Sequence, residues 1–191
     1  TSVLNIKKIP ASLIILGGGV IGSEYATIFA ALGVKVTLFD KGERLLKFLD
    51  HELSEQLQNN FPKGNITYIN NCGDFKIEKC DGGAQVRLEN NQVHTAECLF
   101  FALGREANTA SLDLSKVGIK LNTYHYIEVN ELYQTSTPNI YAIGDVIGWP
   151  SLAATSIIQG RLAALNALKT NIGSFPKIFP FGIYTIPEIS S

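Results

Sequence analysis

The phrase Gly17-Gly-Gly-Val-Ile-Gly22 constrains this chain more than any other, because of what flanks it. Ala11-Ser-Leu-Ile-Ile-Leu16 is a short apolar run that stops at the glycines, and beyond them Ile21, Tyr25, Ile28, Phe29 and Leu32 recur at helical spacing. Gly33 stands where a helix C-terminus wants a residue free to take positive φ. Val34-Lys-Val-Thr-Leu-Phe39 then alternates and is rich in β-branched residues. Strand, tight turn, helix and second strand make one βαβ unit. Within it, Gly17 permits the turn, Gly19 lets a pyrophosphate approach the backbone, and Gly22 lets helix and strand pack closely. The helix start at Val20 and Ile21 offers N–H groups and a partial positive charge to phosphates. Glycine-rich turns also arise for structural reasons alone, so the weight rests on the flanking strands and helix.

The rest of the chain is read around this unit. Asp50 is a plausible N-cap for a helix from His51 to about Asn60, with Glu52 near its positive end and Pro62-Lys-Gly-Asn marking its stop. From Ile66 the runs 66–69, 75–78, 84–88 and 98–102 are strand-like and separated by turn residues. They predict a small antiparallel meander beside the parallel sheet. After Leu112 comes a loop-rich stretch, then an apolar strand over 140–143 that ends at Gly144-Asp145. A small-residue helix from about Leu152 to Leu168 follows, and 171–176 reads as an interdomain crossing.

Composition excludes several function classes. Of 191 residues 46% are apolar and 17% charged, enough for packed cores, and the formal charge is -1. With no basic stripe to follow a phosphate backbone, no nucleic-acid partner is expected. The longest apolar runs fall far short of the roughly 18 residues that span a bilayer, so no membrane association is expected either. Cys72, Cys80 and Cys98 fit neither a C-x-x-C pair nor a zinc site, which favours a reduced, cytoplasmic setting and no metal. The chain begins at Thr1, contains no methionine and ends on Ile189-Ser190-Ser191, and is expected to be an internal piece of a longer protein.

Two carboxylates and two cations are candidate ligand groups. Asp40 ends the second strand, where a carboxylate accepts hydrogen bonds from the adenosine ribose of NAD; the alternative is a turn residue bonded to its own backbone. Lys41 and Arg44 lie just beyond and could pair with a 2′-phosphate or simply be solvated, so NAD, NADP or both remain open. Asp145 is delivered at a strand's C-terminal end, where α/β sheets bind ligands, or else closes an ordinary turn. His51, His94 and His125 lie without a partner at ligand or triad spacing, and each reads as a surface residue.

Three ordered phrases carry a resemblance: Gly17 through Ala26, Ala102-Leu-Gly-Arg-Glu-Ala-Asn108, and Thr135 through Asp145. Together they resemble the FAD-dependent pyridine nucleotide-disulfide oxidoreductases, the two-dinucleotide flavoproteins typified by dihydrolipoamide dehydrogenase and glutathione reductase. Phe48 to Ser54, Gly144 to Ala154 and Gly182 to Ser191 look most like the branch that exchanges hydride between nicotinamide nucleotides. The resemblance implies an α/β fold in three parts. Residues 1–113 would be a Rossmann-like NAD(P)-binding domain, 114–176 the C-terminal portion of an FAD-binding domain, and 177–191 a linker and the first residues of a truncated dimerisation domain.

It also implies roles. Gly17, Gly19, Val20, Ile21, Gly22, Asp40, Lys41 and Arg44 would bind NAD(P), with Glu24 near the nicotinamide and Gly104 lining the cofactor channel. Gly144 and Asp145, with Leu152, Ala153 and Ala154 at a helix start, would face FAD. No catalytic residue is expected in this segment, and the parent would be a homo-oligomer moving hydride from NADPH to NAD through FAD. Alternatives are a dihydrolipoamide dehydrogenase or related disulfide reductase, and a non-catalytic NAD-sensing module. This chain alone, holding the only G-x-G-x-x-G, is expected neither to retain FAD nor to catalyse.

Overall fold

The computed structural model describes residues 2–170, 175–176 and 178–191, so the crossing expected at 171–176 lies largely outside the described residues. Two compact units emerge: Thr1–Gly104 with Pro180–Ser191, and Arg105–Phe179. The break falls after Gly104, earlier in the chain than residue 113, and the last segment belongs with the first unit.

In the first unit the order is β1 (Ser12–Leu16), α1 (Val20–Ala31), β2 (Lys35–Phe39), α2 (His51–Asn60), β3 (Ile66–Ile69), β4 (Phe75–Cys80), β5 (Gly83–Leu88), β6 (Val93–Ala96) and β7 (Cys98–Phe101). A four-stranded parallel sheet runs β3-β2-β1-β7, with Leu16 level with Phe39 on one side and Phe101 on the other. β4, β5 and β6 form a separate antiparallel sheet. The meander expected from Ile66 is therefore corrected at both ends, because 66–69 and 98–101 extend the parallel sheet. A short alternating run carries no direction, and partner choice is made by the tertiary fold. The strand β6, Val-His-Thr-Ala, is masked in the sequence by its polar residues.

α1 seats on β1 through small side chains. Gly22, Ser23, Ala26, Thr27 and Phe29 are buried, whereas Ile21, Ile28 and Leu32 of the expected apolar stripe stay partly exposed. Small residues let the helix approach the sheet, and the larger ones flank the contact. Ile14, Leu16 and Phe39 on the other sheet face pack against Val86, Leu88 and Ala96.

The final segment docks on this unit. β8 (Gly182–Ile183) pairs with β9 (Ile189–Ser190), and fully buried Ile183 enters the cluster that contains Ala26, Phe29 and Leu38. The Tyr184 N–H donates to Glu24 Oε1 at 2.9 Å and the Ile186 N–H to Thr27 Oγ1 at 3.0 Å, so α1 supplies acceptors for both.

In the second unit α3 (Ala153–Ala167) packs Leu162 and Ala163 against Tyr133, while Ile119, Ile127 and Ala142 form a smaller cluster. The strand expected over 140–143 is reduced to an isolated bridge, Gln134 to Tyr141. Its backbone pairs briefly with 133–135: the Ala142 N–H donates to the Tyr133 carbonyl at 3.0 Å and the Thr135 N–H to the Ile140 carbonyl at 2.9 Å, too few bonds to extend a ladder.

Removing the Ile183 side chain tests the docking of the last segment. Ile183→Ala is expected to lower unfolding free energy by about 2–5 kcal/mol, read from urea denaturation. A loss below about 0.5 kcal/mol, the scale of surface substitutions, would mean that this segment does not share the core.

Candidate functional site

The glycine turn is built by close approach. Gly17 has φ +108°, and its N–H donates to the Phe39 carbonyl at 2.7 Å. A Cβ there would stand 2.4 Å from the Ala102 carbonyl oxygen, and one at Gly22 only 1.8 Å from that of Gly17. Gly19 is different: nothing lies within 4 Å of the position a Cβ would take, so its outer side is open. Gly19 is also the N-cap of α1 and provides no side-chain cap. The first-turn N–H groups, at Val20 and Ile21, thus lack an intrahelical partner and meet the same open side. Such a turn can hold a phosphate group.

At the C-terminal end of β2, Asp40 Oδ1 accepts from the Gly42 N–H at 3.1 Å, the local bond of the turn alternative. Its Oδ2 reaches back to Gly18, lying 2.4 Å from where a Cβ would sit there. The carboxylate therefore borders the glycine turn. Lys41 is paired with Asp74, which holds its ammonium above the usual lysine range and the Asp74 carboxyl below its own. Arg44 turns inward, donating to the Leu49 and Lys47 carbonyls at 3.0 and 2.9 Å. Burial, then the charge of Asp40, pushes both the Cys72 thiol and the Tyr68 hydroxyl up, so both stay neutral beside it. The loop after β2 is tied down by Leu46 N–H to Gly18 O at 3.2 Å and by Ser54 Oγ to Leu45 O at 2.6 Å.

Half-buried Glu24 lies on α1 and holds the Tyr184 N–H described above. Gly104, at φ +121° just after β7, has open space where a Cβ would be.

The second unit holds its own polar cluster. Asp145 Oδ2 accepts from Arg105 Nη1 at 2.9 Å, and the Arg105 carbonyl accepts from Tyr126 Oη at 3.1 Å. Asn108 and Ser151 join them around a cavity of about 220 Å³. The N–H of Gly144, itself at φ +75°, donates to buried Gln159 Oε1 at 2.7 Å. Leu152 N-caps α3 without a side-chain cap, leaving the helix start at Ala153 and Ala154 exposed. Arg105, Tyr126 and Gln159 escape the sequence reading, although the Gly-Arg following an apolar run is a signal for Arg105. Asp74 gives none.

One histidine is corrected. His94, read as a surface turn residue, lies in β6 with its ring 5.2 Å from that of Phe39 and its Nε2 enclosed without a partner among the described residues. His51 and His125 are exposed. Among the described residues no group of three or more His, Cys, Asp or Glu could hold a metal ion.

Known proteins resemble this chain in sequence and in fold. Residues 1–160 match the family described as pyridine nucleotide-disulphide oxidoreductase. Proteins named soluble pyridine nucleotide transhydrogenase from Pseudomonas putida (strain W619) and Pseudomonas aeruginosa (strain LESB58) are 46% and 45% identical over 190 residues. Each alignment covers 100% of this chain and 41% of the relative, so the chain spans less than half the length of these curated relatives. Among solved structures, LpdA from Mycobacterium tuberculosis superposes with TM-score 0.90 at 27% identity, over 97% of this chain and 41% of its own. The HOCl-induced flavoprotein disulfide reductase RclA from Escherichia coli superposes with TM-score 0.93 at 30% identity, over 100% of this chain and 44% of its own.

The Asp40 carboxylate repels a 2′-phosphate and can accept from a 2′-hydroxyl. Asp40→Asn is expected to improve NADP binding relative to NAD in parallel titrations of the two nucleotides. An unchanged ratio would reduce Asp40 to a turn residue.

Proposed function

The chain belongs to the pyridine nucleotide-disulphide oxidoreductase family, and from that premise we propose that it carries the nicotinamide-nucleotide site of a flavin-dependent transhydrogenase that moves hydride between NADPH and NAD. The observation that carries the reading is the open, uncapped glycine turn at Gly19 with a carboxylate at its border. That turn fits a pyrophosphate because a side chain at Gly19 would fill the space a ligand needs, while Gly17 and Gly22 admit none at all.

In this reading the N–H groups at Val20 and Ile21 hold the pyrophosphate, helped by the positive end of α1. Asp40 accepts from the adenosine ribose, and Lys41 and Arg44 lie on the side a 2′-phosphate would occupy. Glu24 and Gly104 lie toward the nicotinamide; Glu24 is oriented by the Tyr184 N–H. In the second unit Gly144, Asp145 and the helix start Leu152–Ala154 face the flavin, FAD by resemblance to the family. When bound, that group relays two electrons between the nucleotides. Asp145 can orient it through a ribityl hydroxyl only by sharing its carboxylate with Arg105.

The relatives' names support hydride exchange over disulfide reduction. The disulfide-reductase reading rests on the name of RclA and on the family description. The cytoplasmic assignment rests on free Cys72, Cys80 and Cys98, and a homo-oligomeric state rests on resemblance alone. No described helix is long and apolar enough to cross a membrane.

Two measurements test the reading. The purified 191-residue chain is expected to bind NAD, to lose that binding in Gly22→Ala, and to be colourless. In this reading its single G-x-G-x-x-G phrase serves the nicotinamide nucleotide, and a flavin pyrophosphate without such a turn forgoes charge-assisted hydrogen bonds of about 1.5–3 kcal/mol each. A yellow chain with stoichiometric flavin would make the Gly17 turn the flavin site instead. In the full-length protein, hydride passage from NADPH to a thionicotinamide analogue of NAD should survive thiol alkylation; its loss would favour the disulfide reductase.

A further inference from the structure

Charges crowd the end of β2, and their commitments differ. Nη1 and Nη2 of Arg44 are tied to the Leu49 and Lys47 backbone carbonyls. Lys47 makes no ion pair or hydrogen bond through its ammonium among the described residues; its Nζ and Asp40 Oδ2 each lie 3.4 Å from where a Gly42 Cβ would sit. Lys41, adjacent to Asp40 in the chain, is instead drawn to Asp74, and its ammonium lies 5.7 Å from the centre of the Phe75 ring. The Lys41 and Asp74 side chains are 59% and 78% exposed, so this pair is solvated and readily opened. Beside it lies a cavity of about 520 Å³ lined by Lys41, Asp74, Phe75, Lys76, Arg87 and Glu89 among others. Lys76 and Arg87 stand directly opposite in the β4–β5 register, with Arg87 Nη2 3.9 Å from Glu78 Oε2.

We propose that Asp74 is a specificity-determining residue of the nucleotide site: it holds Lys41 while NAD(H) is bound and releases it to the 2′-phosphate of NADP(H). The proposal rests on the reading of the glycine turn as the nicotinamide-nucleotide site. NAD needs the Asp40 carboxylate free to accept a ribose hydroxyl, and a lysine next in the chain would compete for that carboxylate. Asp74 removes the competitor. A phosphate monoester carries about −1.5 to −2 charge near neutral pH, so it attracts the same ammonium more strongly than the single charge of Asp74 does. Because the exposed pair is weak, Lys41 exchanges between the two anions at little cost in either direction. One site can then take both nucleotides in turn, as hydride exchange between them requires.

The test is titration of NAD and NADP, without flavin, into the 191-residue chain and its Asp74→Asn, Asp74→Glu and Asp74→Asn/Lys41→Met variants. Asp74→Asn is expected to shift the affinity ratio toward NADP by roughly two- to fivefold, the scale of exposed charge pairs. The shift should shrink with added salt. Asp74→Glu should restore the original ratio, and adding Lys41→Met should cancel the gain. A purely structural role for Asp74 would weaken both nucleotides alike and leave the ratio unmoved, which overturns the proposal. A gain that survives Lys41→Met also overturns it, assigning the phosphate to Lys47. If the unaltered chain binds neither nucleotide, the site reading itself fails, and that outcome is distinct from NAD binding with an unmoved ratio.

Discussion

The near-contact of Gly22 with the Gly17 carbonyl is the constraint on which the first unit depends. With 1.8 Å between that oxygen and any added Cβ, neither position admits a side chain, and α1 is drawn down until its first turn stands directly over the end of β1. The geometry around the glycine turn follows from that distance. The helix N-terminus meets the open side of Gly19, the Gly17 N–H is taken by Phe39, and Asp40, one residue on, comes to the edge of the turn. The buried face of α1 obeys the same rule, because Ser23, Ala26 and Thr27 are small enough to keep the helix close.

Charge supplies the second level of organisation. Around Asp40 the strand-side groups are neutral, since Tyr68 and Cys72 resist ionisation in their partly buried positions beside a carboxylate. The cations near it have different commitments, Lys41 to Asp74 and Arg44 to backbone carbonyls. That arrangement leaves the Asp40 carboxylate at the border of the turn with cations close by in the chain. In the second unit the Arg105–Asp145 pair joins two residues from widely separated stretches of that unit around a small cavity.

The segment 180–191 adds a link between packing and site. Its Ile183 completes the core that supports α1, while its Tyr184 N–H fixes the carboxylate of Glu24. A perturbation of this hairpin therefore acts on the helix that carries the glycine turn, through both apolar contact and a hydrogen bond.

Much of the first unit is legible without any tertiary information. The glycine spacing, the apolar run before it and the alternating run after it are local signals, and local geometry alone makes strand, turn and helix from them. Asp40 and Asp145 are legible for the same reason, as carboxylates at the ends of apolar runs. What the sequence could not carry was partner choice. Residues 66–69 and 98–101 look like meander strands, yet they join the parallel sheet because the direction of pairing is a long-range property. The run 140–143 looks like a strand but, among the described residues, forms only an isolated bridge, Gln134 to Tyr141. Asp74 and Arg105 are ordinary polar residues in sequence, and only folding brings one to Lys41 and the other to Asp145. The chain by itself determined the glycine turn, because steric exclusion between neighbouring backbone atoms is local; the tertiary structure decided which charges surround it, because Coulomb forces act between residues that only the fold brings together.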